Sequence, residues 1–272
     1  MSTIIDRTVD TSTTGRRTQF APIPPIPLSR VVRVELRKMF DTRSGFWLIA
    51  SIAITGLIAT IATVAFAPDK DLTYYNFAKA VGYPTTVILP MVALLAITGE
   101  WSQRSGLTTF TYVPSRRRVI GAKTLSSVIV AVASMVFAFA IGAVGNVVGS
   151  TIAGTSTVWD LSVGHALTIL LGNLVSMSIG TMLGMLLRSS AGGLVMYFVL
   201  VLLVPNLSGL LASSQSWYKD AQPWVDLPFA QTYLFEGMHT AGQWAHVATG
   251  VALWIVVPGL IGLRRVMRSE VK

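Results

Sequence analysis

Hydrophobic residues in this chain neither alternate nor recur at a single helical spacing; they run on uninterrupted. Six stretches, 46–66, 82–98, 125–148, 165–187, 191–211 and 246–263, are predominantly apolar and hold no Asp, Glu, Lys or Arg. A helix needs about 20 such residues to cross ~30 Å of hydrocarbon. The second and sixth runs are short, and Pro90 is expected to bend the second. The pattern predicts an all-α membrane protein with six transmembrane helices over 46–263.

The segment before the first run is patterned differently. Leu28, Val31, Val32, Leu36, Met39 and Phe40 recur at helical spacing, with Arg30, Arg33, Arg37 and Lys38 on the remaining surface. Ser29, just after Pro27, is placed to cap such a helix. The segment 28–45 therefore predicts an amphipathic basic helix lying in the headgroup layer and feeding the first span. Residues 1–27 are polar, with prolines at 22, 24, 25 and 27, and predict a cytoplasmic segment without fixed structure rather than a secretory signal.

Composition sharpens the membrane assignment. Only 12% of the 272 residues are charged and 52% are hydrophobic, with a mean hydropathy of +0.63, whereas a soluble domain carries about 25% charge. The absence of cysteine excludes disulfides, thiolate zinc sites, iron–sulfur clusters and cysteine nucleophiles, and three histidines leave little for a metal centre. The net charge of +9 is distributed by side: eighteen basic residues fall on the side of the termini and three, Lys70, Lys79 and Lys219, on the other. By the positive-inside bias both termini, including the basic tail 264–272, are cytoplasmic, as an even span count also requires. The basic balance thus reports topology in a multi-pass protein of the cell membrane, with lipid and not nucleic acid as its partner.

Ion-coupled transporters need ionisable groups at membrane depth, and these runs supply none; Asn146, Asn173 and Asn206 are their polar side chains beside Ser and Thr. A phosphate-binding loop requires Gly-x4-Gly-Lys-Ser/Thr. Gly121-Ala122-Lys123-Thr124 misses both glycines of that pattern and reads as the cytoplasmic start of the third span. The chain is therefore expected to have no ATP site, no catalytic set, no metal and no bound cofactor of its own, so energy for uphill movement would arrive from a partner.

The loop 99–123 is the richest in contact chemistry. Glu100 and Arg104 are four apart and can pair on a helix; Leu107, Phe110, Tyr112 and Val113 form an apolar patch before Pro114; Ser115 can cap the next helix, and Arg116, Arg117 and Arg118 suit anionic headgroups. The run Thr98-Gly99-Glu100-Trp101-Ser102-Gln103-Arg104-Ser105-Gly106, with Pro114-Ser115-Arg116-Arg117-Arg118 and Lys123, resembles the permease subunits of type-2 ATP-binding-cassette (ABC) exporters. The resemblance implies that this loop forms a coupling helix on an ATPase subunit, with Glu100, Trp101, Arg104, Leu107, Phe110 and Tyr112 at that interface, and that 28–45 is the family's elbow helix. It further implies a second permease copy or paralogue, and two ATPase subunits that bind the ATP and magnesium. The cargo expected of an uncharged path is an amphipathic or hydrophobic small molecule, lipid or peptide.

Between the fifth and sixth runs, 212–245 carries Trp217, Tyr218, Trp224, Phe229, Tyr233, Phe235 and Trp244, broken by Pro223 and Pro228. It is read as short helices dipping into the outer leaflet, as the resemblance implies, or as an aromatic belt. Glu236 and His239 are too few for a metal and are read as solvated. Gly172, Ser176, Gly180 and Gly184 fall at i, i+4 steps and predict a row of close helix packing, with Gly145 and Gly149 a shorter one. Two other classes remain open: a membrane-embedded enzyme such as an intramembrane protease or lipid transferase, and a non-transporting receptor or assembly factor.

Overall fold

The computed structural model describes residues 26–102, 115–238 and 240–268. Among them the regular elements are helical, with one isolated bridge between Thr73 and Val158. Helix α1 spans Leu28–Asp41, α2 Arg43–Phe66, α3 Tyr74–Ser102, α4 Arg116–Ala153 and α5 Val163–Leu187. Helix α6 spans Ser190–Ser214, the short α7 and α8 span Ser216–Val225 and Leu227–Glu236, and α9 spans Ala241–Arg268. Six of these, α2, α3, α4, α5, α6 and α9, are long and apolar enough to cross a membrane. In hydrocarbon every backbone N–H and C=O must find a partner within the protein, and long helices satisfy that requirement segment by segment.

The helices overrun the apolar runs at nearly every end. Helix α3 starts at Tyr74, not 82, and continues to Ser102, so it includes Lys79 and Glu100; α4 starts at Arg116, not 125, and includes Lys123. The extra turns are polar or aromatic and are held by tertiary contacts. At the start of α3, the Tyr75 N–H donates to Asp160 Oδ1 at 2.8 Å and the Tyr74 N–H to the Val158 carbonyl at 3.1 Å. Asn146 Nδ2 donates to the same Val158 carbonyl at 2.9 Å. The α4–α5 connection is thereby fastened over that end of the bundle.

Helix α1 begins at Leu28, and Pro27 occupies the position before it, whose carbonyl accepts from the Arg30 N–H at 3.1 Å. Ser29 is therefore inside the first turn and not the cap expected from the sequence, because Pro27 already has the extended backbone a cap position needs. Similarly Ser115 precedes α4 without making a side-chain capping bond. The apolar stripe of α1 is covered by the chain itself: Val31 and Val32 pack on Ala122, and Met39 on Val92 and Val130. Leu28 and Phe40 stay exposed, as do Arg30, Arg33, Arg37 and Lys38.

Helices α3 and α5 are the most enclosed spans, and their seam is built from small residues. A side chain at Gly180 would place its Cβ 1.9 Å from the Pro90 carbonyl oxygen, and one at Gly184 2.9 Å from Ile97 Cβ. Gly172 faces the Phe235 ring, and Ser176 accepts a hydrogen bond from Gln231 Nε2 at 2.5 Å. The row Gly172, Ser176, Gly180, Gly184 thus lies against α3 at one end and α8 at the other. Helix α3 remains continuous through Pro84 and Pro90. Pro90 has no N–H for the Thr86 carbonyl, and Tyr197 Oη on α6 donates to the neighbouring Val87 carbonyl at 2.8 Å. Gly145 and Gly149 on α4 receive the Phe77 ring.

Because Gly180 meets backbone rather than a flexible side chain, Gly180→Leu should force α3 and α5 apart. We expect loss of the monodisperse folded species or a melting temperature lowered by the equivalent of about 1–3 kcal/mol or more. Gly82→Ala, whose Cβ would meet nothing within 4 Å, should melt as the wild type.

Candidate functional site

Where α1 crosses the last turns of α3 and the first turns of α4, four charged side chains converge. Lys123 Nζ donates to Glu35 Oε2 at 2.7 Å and to the Ala96 carbonyl at 3.0 Å, with Glu100 Oε1 at 3.2 Å. Lys38 Nζ donates to Glu35 Oε1 at 2.9 Å and to Glu100 Oε1 at 3.2 Å. The side chains of Glu35 and Glu100 are each 4% exposed and Lys123 is 6% exposed, while Lys38 caps the cluster at 45%. Two carboxylates and two ammoniums cancel, so charge that would be costly in a dry interior is neutralised at short range. Burial acts to lower the pKa of Lys38, but its bonds and attraction to Glu35 and Glu100 outweigh that and raise it above 10.5.

The cluster joins three helices through the two roots of the 103–114 segment. Glu100 lies just before that segment and Lys123 in the third turn after it, while Glu35 and Lys38 belong to α1. A displacement of either root is therefore felt at α1. Around it, Arg118 Nη2 donates to the Ile26 carbonyl at 2.6 Å and Arg116 Nη1 to the Val266 carbonyl at 2.9 Å, tying the start of α4 to the chain before α1 and to the end of α9.

At the opposite end of the bundle is a cavity of about 390 Å³ between α3, α5, α6 and α8, with Trp254 of α9 at its edge. Its walls include Gly82, Pro90, Ile179, Met182, Leu200 and Val201. The polar residues that line it are engaged elsewhere: Thr86 Oγ1 donates to Asn173 Oδ1 at 3.1 Å, Gln231 Nε2 donates to the Gly172 carbonyl at 2.7 Å, and Tyr197 bonds Val87. Lys79 and Glu236, both exposed, stand at the rim. Two helical turns of π type, 199–203 in α6 and 252–256 in α9, each give lining residues: Leu200 and Val201 from the first, Trp254 from the second. Such turns recur at functional positions because they open the regular hydrogen-bond ladder.

Short helices fill the 212–245 region. Helix α8 buries Leu227, Ala230 and Leu234 against Val175 of α5 and Val247 of α9. Asp226, before α8, accepts from the Phe229 N–H at 3.1 Å, from Gln222 Nε2 at 3.3 Å and from the Ser208 hydroxyl. His165 Nε2 and Tyr75 Oη both meet the Phe235 carbonyl, at 2.9 and 3.3 Å. Both histidines at span ends are thus structural neighbours of aromatic rings, His246 lying 4.4 Å from Trp224. Among the described residues no group of three or more His, Asp or Glu converges as a metal set.

Of the residues expected at a partner interface, Glu100 faces inward to Lys38 and Lys123, and Trp101 packs against Ile97, Ile120 and Val266. Arg104, Leu107, Phe110 and Tyr112 lie outside the described residues, so the expected Glu100–Arg104 pairing does too. Gly121–Thr124 is helical, and the Lys123 ammonium that a phosphate would need is taken up by carboxylates. Sequence reasoning passed over Glu35. Its signal was a lone carboxylate at i+4 from Val31 and i−4 from Met39, on the apolar stripe of α1. No family model matches the chain, and no curated protein matches it.

Removing one member of the cluster leaves the others buried without compensation, so Lys123→Met should destabilise by about 3–5 kcal/mol. The double variant Glu35→Met with Lys123→Met, which keeps the Lys38–Glu100 pair, should recover much of that loss in thermal melting of the purified protein. The stabilising share of Lys38, whose pKa is raised on folding, should be complete below pH 10.5 and vanish as pH climbs through the raised value. Melting scans at rising pH should show that loss in the wild type and not in Lys38→Met.

Proposed function

We propose that this chain is the membrane-spanning permease subunit of an ATP-driven ABC exporter, acting with a second permease copy or paralogue. Two cytoplasmic ATPase subunits, which bind ATP and magnesium, would supply the force. The observation that carries this reading is the four-charge cluster, which fastens α1 to both roots of the 103–114 segment. In this reading the ATPase subunits press on Leu107, Phe110 and Tyr112. The load passes through the helix ends to Glu100 and Lys123, then to Glu35 and Lys38, and α1 moves with α3 and α4 as one body. A neutral, buried, multiply bonded junction suits that task because it resists shear without needing solvent.

Orientation follows from charge. The cluster end carries Arg30, Arg33, Arg37 and Arg43 beside Arg116, Arg117 and Arg118, and the positive-inside bias puts it on the cytoplasmic face. There α1 would lie along the headgroups with its arginines toward anionic lipid, its apolar stripe already covered by α3 and α4. The cavity then opens near the outer leaflet. Its apolar walls favour an amphipathic or hydrophobic cargo.

The test is association. The full chain should co-purify with a P-loop ATPase whose hydrolysis rate rises in the complex, and deletion of 107–113 should abolish both. Glu100→Gln should leave association largely intact while lowering the stimulated hydrolysis several-fold. Association unchanged by the deletion, or solute accumulation by the chain reconstituted without any hydrolase, would overturn the assignment.

A further inference from the structure

The cavity at the far end of the bundle has features that the coupling junction does not explain. Its body is dry in character, because Thr86, Gln231 and Tyr197 spend their hydrogen bonds on Asn173, Gly172 and Val87. Such walls offer a ligand dispersion contacts and few polar ones. The rim differs: Lys79 and Glu236, one cation and one anion, are both exposed there. Lys79 Nζ sits 5.8 Å above the Tyr75 ring, and the Tyr75 hydroxyl donates to Phe235, the residue before Glu236. Both charges thus stand at the rim on either side of the Tyr75–Phe235 hydrogen bond. A purely anionic head would meet Glu236 and a purely cationic one Lys79, whereas a head carrying both signs matches the pair.

Size and access narrow the ligand further. A volume of about 390 Å³ lies at the low end of the roughly 300–1,000 Å³ typical of small-molecule sites. That suits one alkyl chain better than the paired chains of a bilayer phospholipid. The wall formed by α6 is irregular. It carries the π turn at 199–203 and Pro205, and its outer part is anchored by Ser208 to Tyr218 and Asp226. Leu202, Leu203 and Leu207 on that stretch and Tyr83 on α3 are exposed where lipid would lie. The geometry points to a binding site for a single-chain zwitterionic amphiphile. Its hydrocarbon tail enters from the bilayer between α3 and α6, and its head rests between Lys79 and Glu236. Binding there needs no ATPase, so this site stands or falls apart from the transport reading.

Photolabelling of the full chain in nanodiscs tests it, with lysophosphatidylcholine carrying a diazirine in its tail as the probe. Adducts should map to α5 and α6 peptides holding Ile179, Leu200 and Val201. Unlabelled lysophosphatidylcholine should displace the probe, while the alcohol and the phosphate monoester of the same chain length should compete about two- to fivefold less well. Gly82 lines the cavity, and its Cβ would meet nothing within 4 Å. Gly82→Leu should therefore fill the space without disturbing the fold and cut labelling about tenfold. Val201→Trp, on the opposite wall, should do the same. Lys79→Gln should weaken the zwitterion about threefold and leave the alcohol unchanged. Wild-type labelling in a Gly82→Leu protein that melts normally would overturn the site. Equal competition by the alcohol would overturn the role of the rim, and equal competition by a diacyl phosphatidylcholine would overturn the single-chain restriction.

Discussion

An ammonium on α4, Lys123, lies buried between a carboxylate from α1 and another from α3. Each of the three would carry a desolvation penalty of several kcal/mol if it stood in that place alone. Their mutual requirement adds a charge register to the apolar packing of the three helices. The Ala96 carbonyl adds a backbone anchor to the same ammonium. The depth of α1 against the bundle, and the spacing of the two chain segments that lead into and out of 103–114, follow from this junction.

The opposite end is organised by a different principle. There the charged residues stay at the rim, and hydrogen bonds such as Thr86 to Asn173 and Gln231 to Gly172 join α3, α5 and α8 around an apolar hollow. Polar groups serve as internal fasteners, and the surface left to a ligand is hydrocarbon. An ionic junction at one end and an apolar hollow beside two π turns at the other give the two ends of the molecule opposite chemistry.

Much of this was legible in the residues. The six spans are visible because hydrocarbon selects for length and apolarity, which any single segment reports. The ends of those spans were not, because Tyr74–Val81 and Arg116–Thr124 are polar enough to pass for loop and become helical through tertiary contacts. The small-residue row on α5 was readable by spacing, although its partners were not; Pro90 and Phe235 come from distant parts of the chain. Glu35 went unnoticed because its neighbours gave α1 a satisfactory amphipathic pattern without it. The partners that explain it are far apart in sequence: Glu100 reads as a partner for Arg104 four residues on, and Lys123 as the start of the third span. The cavity has no linear signature, since its walls come from five helices and its apolar character depends on which hydrogen bonds close.

The π turn in α6 holds one residue more than an α-helical path between the same points would use. Each residue advances an α-helix by about 100°, so the extra residue would rotate the outer part of α6 by that amount if the wide turn did not absorb it. Ser208 faces Asp226 and Tyr218 with that residue taken up in the turn. Excision of a single residue between 199 and 203 would restore the regular ladder and leave Ser208 against Asp226, whereas winding all five residues as α-helix would turn Ser208 away and strip Asp226 of a donor. The turn therefore lets α6 carry one residue more without altering what its outer part meets.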